Sequence, residues 1–279
     1  MSRPIRYVVS ATSAADFVER LTQTDPTAFD DHWLLAEGDS WFNKFYPARN
    51  NLLDQLDLPR GIRLIDHSWS GDKAEDMFGV NRLTQIAQYL DIKPYKAILL
   101  SAGGNDLIGQ IGDFIDGSGS AAVLNDAKVD DAFQKVESLI RAFCYSRHGT
   151  PNESTRVFIH AYDYPTPRNA PTLGGAVGPW VYPRLMTIGI RDIDQQRGVV
   201  TDLLTRWQIR LAQLAEPTSP KHIPGFHVLL TQGLLRPAAP NTSGRSGDWE
   251  DEIHPSNAGY KVFAERLYNP VLRAILAGA

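Results

Sequence analysis

The sequence predicts an α/β fold in which helices cover both faces of a mostly parallel sheet. The first observation is a set of five short, continuously apolar runs, the pattern of strands that are buried on both faces. The second is that longer segments with helical spacing lie between these runs. Alternation of strand and helix implies a three-layer α/β/α sandwich with a five-stranded sheet and right-handed crossovers. The predicted strands are residues 32–37, 62–67, 97–102, 156–161 and 226–232.

The predicted helices each carry one apolar face. Residues 81–90, 131–143 and 199–214 repeat apolar side chains at helical spacing. A last helix is predicted over 257–276, because Pro255 and Ser256 precede it and both residue types favour a helix start. In a sheet of this kind, binding and catalytic sites form at the carboxyl ends of the strands.

Composition narrows the class of protein. The 279 residues are 43% apolar and 22% charged, as in globular proteins with a large core. The net charge of −4 offers no basic surplus for a phosphate backbone, so we expect no nucleic-acid partner. The single cysteine, Cys144, forms no internal disulfide and is predicted to be a small core residue. No apolar run resembles a membrane span or a signal peptide, so we expect a cytoplasmic protein, with leaderless export left open.

One long segment interrupts the alternation. Residues at about 163–198 are rich in proline and glycine, and a loop of this length is usually functional or disordered. We therefore expect a single domain over residues 1–279 that carries an insertion at 163–198.

Polar residues cluster where predicted strands stop. The first strand runs into Gly38, Asp39 and Ser40, the third ends near Asn105, and Asp251 and His254 follow the last strand after a loop. Each cluster has an ordinary structural explanation when it is taken alone. Ser40 could cap a helix, Asn105 could belong to a turn, and His254 could lie on the surface before a helix.

Four short motifs in this order resemble those of the SGNH or GDSL hydrolases. They are Gly-Asp-Ser at 38–40, Ser-Gly-Asp at 70–72, Gly-Gly-Asn-Asp at 103–106 and Asp-x-x-His-Pro at 251–255. The matches extend from about residue 32 to the C-terminus. The second block departs from the family, whose members often have Asn and Gly before the Ser-Gly pair, whereas residues 66–69 here are Asp-His-Ser-Trp. The resemblance implies the family's flavodoxin-like strand order and an esterase or lipase activity.

The residue types also make chemical sense. A serine hydroxyl needs a neighbouring base to become nucleophilic, and a neutral histidine such as His254 can supply it. Asp251 precedes His254 by three residues, so its carboxylate can hold the imidazole while the other ring nitrogen faces Ser40. The resemblance implies an oxyanion hole made by the backbone N–H groups of Ser40 and Gly71 and by the side-chain amide of Asn105.

The remaining candidates surround these motifs. Asp39, Trp41, Gly104 and Trp249 are candidates to line the substrate site, although Asp39 and both tryptophans have structural explanations too. His160, at the end of the fourth strand, is more easily explained as a structural residue. The mechanism needs no metal and no cofactor.

The predicted function is therefore hydrolysis of a carboxylic ester through an acyl-enzyme on Ser40. The substrate is expected to be a small-molecule, lipid or carbohydrate ester, and the 163–198 insertion is expected to shape its acyl and alcohol pockets. Two alternatives remain open. An acyltransferase would use the same three residues with another acceptor in place of water, and a binding module would retain the fold without catalysis.

Overall fold

A parallel six-stranded sheet forms the centre of the protein. The computed structural model describes residues 1–9, 12–44 and 51–278. The sheet has the order β1-β3-β2-β4-β7-β8, and all five of its pairings are parallel. The strands, including a separate antiparallel pair β5–β6, are β1 (Ile5–Val8), β2 (His32–Gly38), β3 (Ile62–Asp66), β4 (Ala97–Ser101), β5 (Ile115–Asp116), β6 (Val123–Leu124), β7 (Val157–His160) and β8 (Phe226–Leu229).

The five predicted strands are all present, and their order is the flavodoxin-like one. The prediction of five strands was nevertheless wrong, because β1 adds a sixth at the edge beside β3. This strand has four residues, two of them exposed, and it pairs with one neighbour only. A short, half-exposed edge strand lacks the continuous apolar run that identifies a buried one, so the sequence pattern missed it.

Helices cover both faces of the sheet, as predicted. In the described ranges the α-helices are α1 (Ala14–Thr24), α2 (Ala74–Phe78), α3 (Val80–Leu90), α4 (Gly104–Ile108), α5 (Asp126–Tyr145), α6 (Tyr182–Thr187), α7 (Ile193–Ala215), α8 (Asn257–Phe263) and α9 (Asn269–Ala277). Alternate strand residues point to opposite faces and enter two separate apolar clusters. Leu35 of β2 packs in the cluster with α1, α3, α5 and α7, whereas Leu34 packs in the cluster with α8 and α9.

The C-terminal helix predicted over 257–276 is interrupted in the structure. A π-helical turn over Ala264–Tyr268 separates α8 from α9, which has Pro270 in its first turn. Proline lacks the N–H that a regular α-helix would need at that position. The helix therefore changes to the wider π-helical geometry for one turn before α9 begins.

The carboxyl ends of the inner strands place the polar motifs at one edge of the sheet. β2 ends at Gly38 and β4 at Ser101, and these residues are register partners. The segments that follow both strands therefore begin side by side. Within the described residues, no helix is long and apolar enough to cross a membrane.

Candidate active site

The Ser40 hydroxyl lies beside the His254 imidazole. Ser40 follows β2 in a tight turn, where the N–H groups of Phe42 and Asn43 donate to the Asp39 carbonyl at 3.1 and 3.0 Å. The Ser40 side chain is almost fully buried, and its Oγ is 2.8 Å from Nε2 of His254. The two residues are 214 positions apart in the chain, so the fold alone brings them together.

The other ring nitrogen of His254 faces Asp251. Nδ1 is 2.8 Å from Oδ1 and 3.0 Å from Oδ2 of the carboxylate. The loop holds this arrangement locally, since the Glu250 N–H donates to the His254 carbonyl at 2.8 Å. The backbone N–H of His254 also donates to Oδ1 of Asp251, at 2.9 Å. Ser256 then caps α8 by accepting from the Gly259 N–H.

Burial and charge set the protonation of this pair. Burial lowers the pKa of His254, and Asp251 only partly opposes that effect by favouring the charged ring. The pKa of Asp251 lies below its usual range: burial raises it, but the charges and hydrogen bonds of His254 and Lys44 more than compensate. A neutral imidazole beside an ionised carboxylate donates from Nδ1 and accepts at Nε2. That is the tautomer in which His254 can accept a proton from Ser40.

Two cavities flank the Ser40 hydroxyl. The larger has a volume of about 100 Å³ and is lined by Ser40, Gly71, Asn105 and His254 among others. The smaller has a volume of about 20 Å³ and shares Ser40 and Asn105 with the larger. The fold thus brings the predicted Ser40, Gly71, Asn105 and His254 to one cavity, with Asp251 behind His254.

The groups predicted to form an oxyanion hole lie around the larger cavity. Gly71 has a φ of +94°, a conformation that glycine adopts without strain. The Asn105 amide donates to the Asp72 carbonyl at 2.8 Å, which fixes the orientation of its side chain. Among the described residues, the N–H groups of Ser40 and Gly71 donate to no other group.

Three of the four candidate lining residues lie at the smaller cavity. Asp39, Trp41 and Gly104 line it, and a Cβ added to Gly104 would lie 2.7 Å from the Tyr162 ring. The prediction that Trp249 lines the substrate site was wrong, because its side chain is fully buried in an apolar cluster and lines neither cavity. Proximity to a motif in sequence did not place this ring at the site.

Asp39 also supports the turn that carries Ser40. Its carboxylate accepts from the Tyr162 hydroxyl, from the Ser101 hydroxyl at 2.6 Å and from the Trp41 N–H at 3.0 Å. Burial raises the pKa of Asp39 to about 6, which these hydrogen bonds only partly offset. His160 lies below the same turn, stacked on the Trp41 ring and bonded to Ser101 at 3.2 Å. It is a buried structural residue and lines neither cavity.

Lys44, which lies four positions after Ser40, was not among the residues predicted from the sequence. Its Nζ forms a buried ion pair of 2.8 Å with Oδ2 of Asp251, and the side chain lines the larger cavity. The sequence signal for it is weak: a lysine in the aromatic-rich stretch Trp-Phe-Asn-Lys-Phe-Tyr at 41–46.

Glu252 and Trp180, which connect the 163–198 segment to the site, were not predicted from the sequence either. The fully buried Glu252 carboxylate accepts from the backbone N–H groups of Arg168, Trp180, Val181 and Tyr182. This clasp holds Trp180 with its ring centroid 5.1 Å from that of His254, edge to face. The same segment contributes the lining residues Thr172, Leu173, Val177 and Trp180 to the larger cavity.

The described part of the site contains carboxylate, imidazole and hydroxyl side chains but no metal-binding cluster. Among residues 1–9, 12–44 and 51–278, no group of three His, Cys, Asp or Glu side chains could hold a metal ion. Cys144 is buried, and its position in the sequence is far from all four motifs. Burial raises the pKa of its thiol to about 12.

Comparison with known proteins finds similarity in structure only. No protein-family model and no curated protein matches the sequence. One solved structure is 16% identical over 88% of this chain and 99% of its own, with a TM-score of 0.53. A member of the lipolytic G-D-S-L family from Veillonella parvula is 12% identical over 86% of this chain and 96% of its own (TM-score 0.45). The aryl esterase of M. smegmatis is 14% identical over 88% and 99%, with a TM-score of 0.46.

At sequence identities this low, the similarity gives information about the fold and not about the reaction. A TM-score above 0.5 with nearly complete coverage of both chains supports a shared α/β fold. A lipase/acylhydrolase from Enterococcus faecalis is also among the matched structures, at 13% identity and a TM-score of 0.35. The comparison therefore confirms the predicted α/β fold, and the resemblance to the SGNH and GDSL hydrolases rests on the four sequence motifs.

Proposed function

We propose that the protein is a serine ester hydrolase in which Ser40 is the nucleophile, His254 the general base and Asp251 its orienting partner. The observation that carries the proposal is the continuous pair of contacts, 2.8 Å from Ser40 Oγ to His254 Nε2 and 2.8 Å from His254 Nδ1 to Asp251 Oδ1. Hydrogen bonds of this length permit direct proton transfer from a serine to a histidine.

The reaction proceeds in two steps. Ser40 Oγ attacks the ester carbonyl carbon while its proton moves to His254 Nε2. The tetrahedral intermediate then expels the alcohol, which takes that proton from His254 and leaves the acyl group on Ser40. Water repeats the sequence with the same base, releases the carboxylic acid and restores the serine. Asp251 stabilises the imidazolium that forms in each step.

The negative oxygen of the intermediate needs preorganised donors. The N–H groups of Ser40 and Gly71 and the Asn105 amide are proposed for this role, since all three residues line the larger cavity. Two of these donors have no competing acceptor among the described residues. One donor of this kind typically contributes on the order of 10²–10³ in kcat.

Hydrolysis of p-nitrophenyl esters by the wild type and by Ser40→Ala tests the proposal. We expect Ser40→Ala to lower kcat/KM by at least about 10³-fold, since the remaining site has no nucleophile for acyl transfer. Ser138→Ala, on the exposed face of α5, is the matched control and should retain wild-type activity. A Ser40→Ala rate equal to that of the wild type would refute the mechanism.

The two alternatives give different outcomes in the same experiment. An acyltransferase would form a new ester when an alcohol or sugar is added, at the expense of the free acid. A binding module would show no turnover of any ester by the wild type. Catalysis is favoured over binding alone because the hydroxyl, imidazole and carboxylate lie in hydrogen-bonding geometry beside open space, and the product analysis decides between water and another acceptor.

Three further expectations belong to this proposal. The substrate is a small-molecule, lipid or carbohydrate ester, and no nucleic acid is expected as a partner given the net charge of −4. The cytoplasmic location predicted from the sequence is tested by fractionation of cells that express the tagged protein.

A further inference from the structure

The Asp251 carboxylate contacts the Lys44 ammonium as well as the His254 imidazole. The Lys44 ammonium is 2.8 Å from Oδ2, and the exposed fractions of the two side chains are 5% and 2%. A lysine loses much of its hydration when it is buried this far, so it is retained there only with a charged partner. Asp251 is 207 positions away in the chain, so the pair forms only in the folded site.

The two oxygens of Asp251 have different partners. Oδ1 accepts from the backbone N–H groups of Ile253 and His254, at 3.1 and 2.9 Å, and contacts the imidazole at 2.8 Å. Oδ2 contacts the imidazole at 3.0 Å and accepts from Lys44. The carboxylate is therefore fixed on one side by its own loop and on the other by the segment that carries Ser40. Lys44 links the nucleophile's segment to the base's loop.

The charges around His254 define what Lys44 changes. Arg168 donates to the Asp251 backbone carbonyl, and Glu252 is bonded to four backbone N–H groups. The buried Tyr260 hydroxyl interacts electrostatically with Asp251. Of these groups, only Lys44 places a positive charge directly on the carboxylate that holds the imidazole. Because Lys44 and the ring share Oδ2, the ammonium and Nδ1 lie within about 6 Å of each other, where like charges repel appreciably at low dielectric.

We propose that Lys44 is a positioning residue of the proposed catalytic site, which fixes Asp251 through Oδ2 and keeps His254 unprotonated to a lower pH than the carboxylate alone would allow. The inference rests on the proposed function. With Lys44 present, the resting Lys44–Asp251–His254 group is electrically neutral. It becomes positive only when the ring accepts the serine proton, at the moment when the opposite charge develops on the substrate oxygen.

The direction of the effect follows from the sign of the charge. The Lys44 charge lowers the pKa of His254, in the same direction as burial, while Asp251 raises it. Removing the ammonium leaves the negative carboxylate unopposed, so the imidazole takes up a proton at higher pH. The acid limb of kcat/KM, which reports the free base, should move to higher pH by about one unit.

The test compares Lys44→Met with Lys44→Arg, which keeps the charge, and with Lys261→Met, an exposed lysine on α8 with the same change in net charge. We expect the acid limb of Lys44→Met to shift upward by about one pH unit and its kcat to fall about tenfold. Lys44→Arg should restore most of the wild-type profile, and Lys261→Met should leave it unchanged. A purely structural lysine would lower activity equally at every pH, and that result would overturn the proposal.

A second measurement separates this proposal from the proposed function. NMR titration of the His254 ring in Lys44→Met and the wild type reports its protonation without any substrate. An upward shift supports the role of Lys44 even where no ester is turned over. An unchanged titration of the His254 ring refutes the role of Lys44. A kinetic change confined to KM also refutes it and assigns Lys44 to substrate binding instead. Should Lys44→Met not fold, Lys44→Gln, which keeps a hydrogen-bond donor without the charge, is subject to the same expectations.

Discussion

Glu252 provides the most demanding test of how the site is assembled. Its two carboxylate oxygens divide four backbone donors between them. Oε1 accepts from Arg168 and Tyr182, at 3.2 and 2.7 Å, and Oε2 accepts from Trp180 and Val181, the latter at 2.8 Å. The side chain is fully buried, so bulk solvent does not reach these N–H groups in the folded protein.

The magnitude follows from these contacts. Hydrogen bonds to a charged group are each worth about 1.5–3 kcal/mol, and an unsatisfied buried donor costs about 1–3 kcal/mol. The loop can relax, and burying the carboxylate is itself unfavourable, as the raised pKa of Glu252 shows. We therefore expect Glu252→Ala to lower the free energy of unfolding by about 3–4 kcal/mol, well below the sum of the separate bonds.

Glu252→Gln is the informative partner of this variant. A glutamine retains one acceptor oxygen for one pair of N–H groups, but its NH₂ group must face the other pair, so donor meets donor. We expect a loss of about 2–3 kcal/mol, close to that of the alanine variant. Urea unfolding measures both, and Glu250→Gln, on the same loop but partly exposed, is the control with a change under about 0.5 kcal/mol.

The effect should extend to activity, because the clasp carries Trp180 to the edge of His254. Both Glu252 variants should lose kcat/KM at temperatures where they remain folded. A Glu252→Gln variant as stable as the wild type would show that the four N–H groups do not depend on the carboxylate, which would refute this role of Glu252.

Two other predictions concern substrate size and a buried histidine. The cavities beside Ser40, of about 100 and 20 Å³, are small, so p-nitrophenyl acetate and butyrate should exceed the octanoate in kcat/KM by about tenfold or more. A flat chain-length profile would contradict that estimate. His67 is fully buried, neither ring nitrogen has a hydrogen-bond partner among the described residues, and burial lowers its pKa from 6.5 to about 3. The unfolded state therefore binds more protons between these values, and stability is lost as the pH falls from 6.5 towards 3. His67→Phe should be at least as stable as the wild type at pH 7.5, with an additional advantage of about 2 kcal/mol at pH 5 by urea unfolding. An equal loss of stability in both proteins on acidification would contradict it.

The sequence by itself determined the central sheet. Strands β2, β3, β4 and β7 are buried along nearly all of their length and are mostly apolar, and that pattern is visible without the structure. β8 is less regular, with an exposed residue at its second position. The edge strand β1 shows no continuous apolar pattern in the sequence, because half of its residues are exposed. The π-turn before α9 shows no pattern either, because it follows from a single proline.

The sequence also indicated the residues of the candidate site that lie in short motifs. Asp251 and His254 are three positions apart, a distance at which a turn can join their side chains, and Ser40 follows a buried strand whose end must lie at the sheet edge. Chemistry that depends on such local spacing can be predicted from the order of residues.

Only the tertiary structure decided how these motifs meet and what surrounds them. Lys44 reaches Asp251 across 207 positions, and Glu252 reaches Val181 across 71, so no local pattern could indicate either contact. Trp249 shows the converse, since a position next to a motif did not prevent its ring from packing into the core. Sequence spacing determines contacts within a turn or along a strand, whereas contacts between distant segments depend on how the helices and loops pack against the sheet.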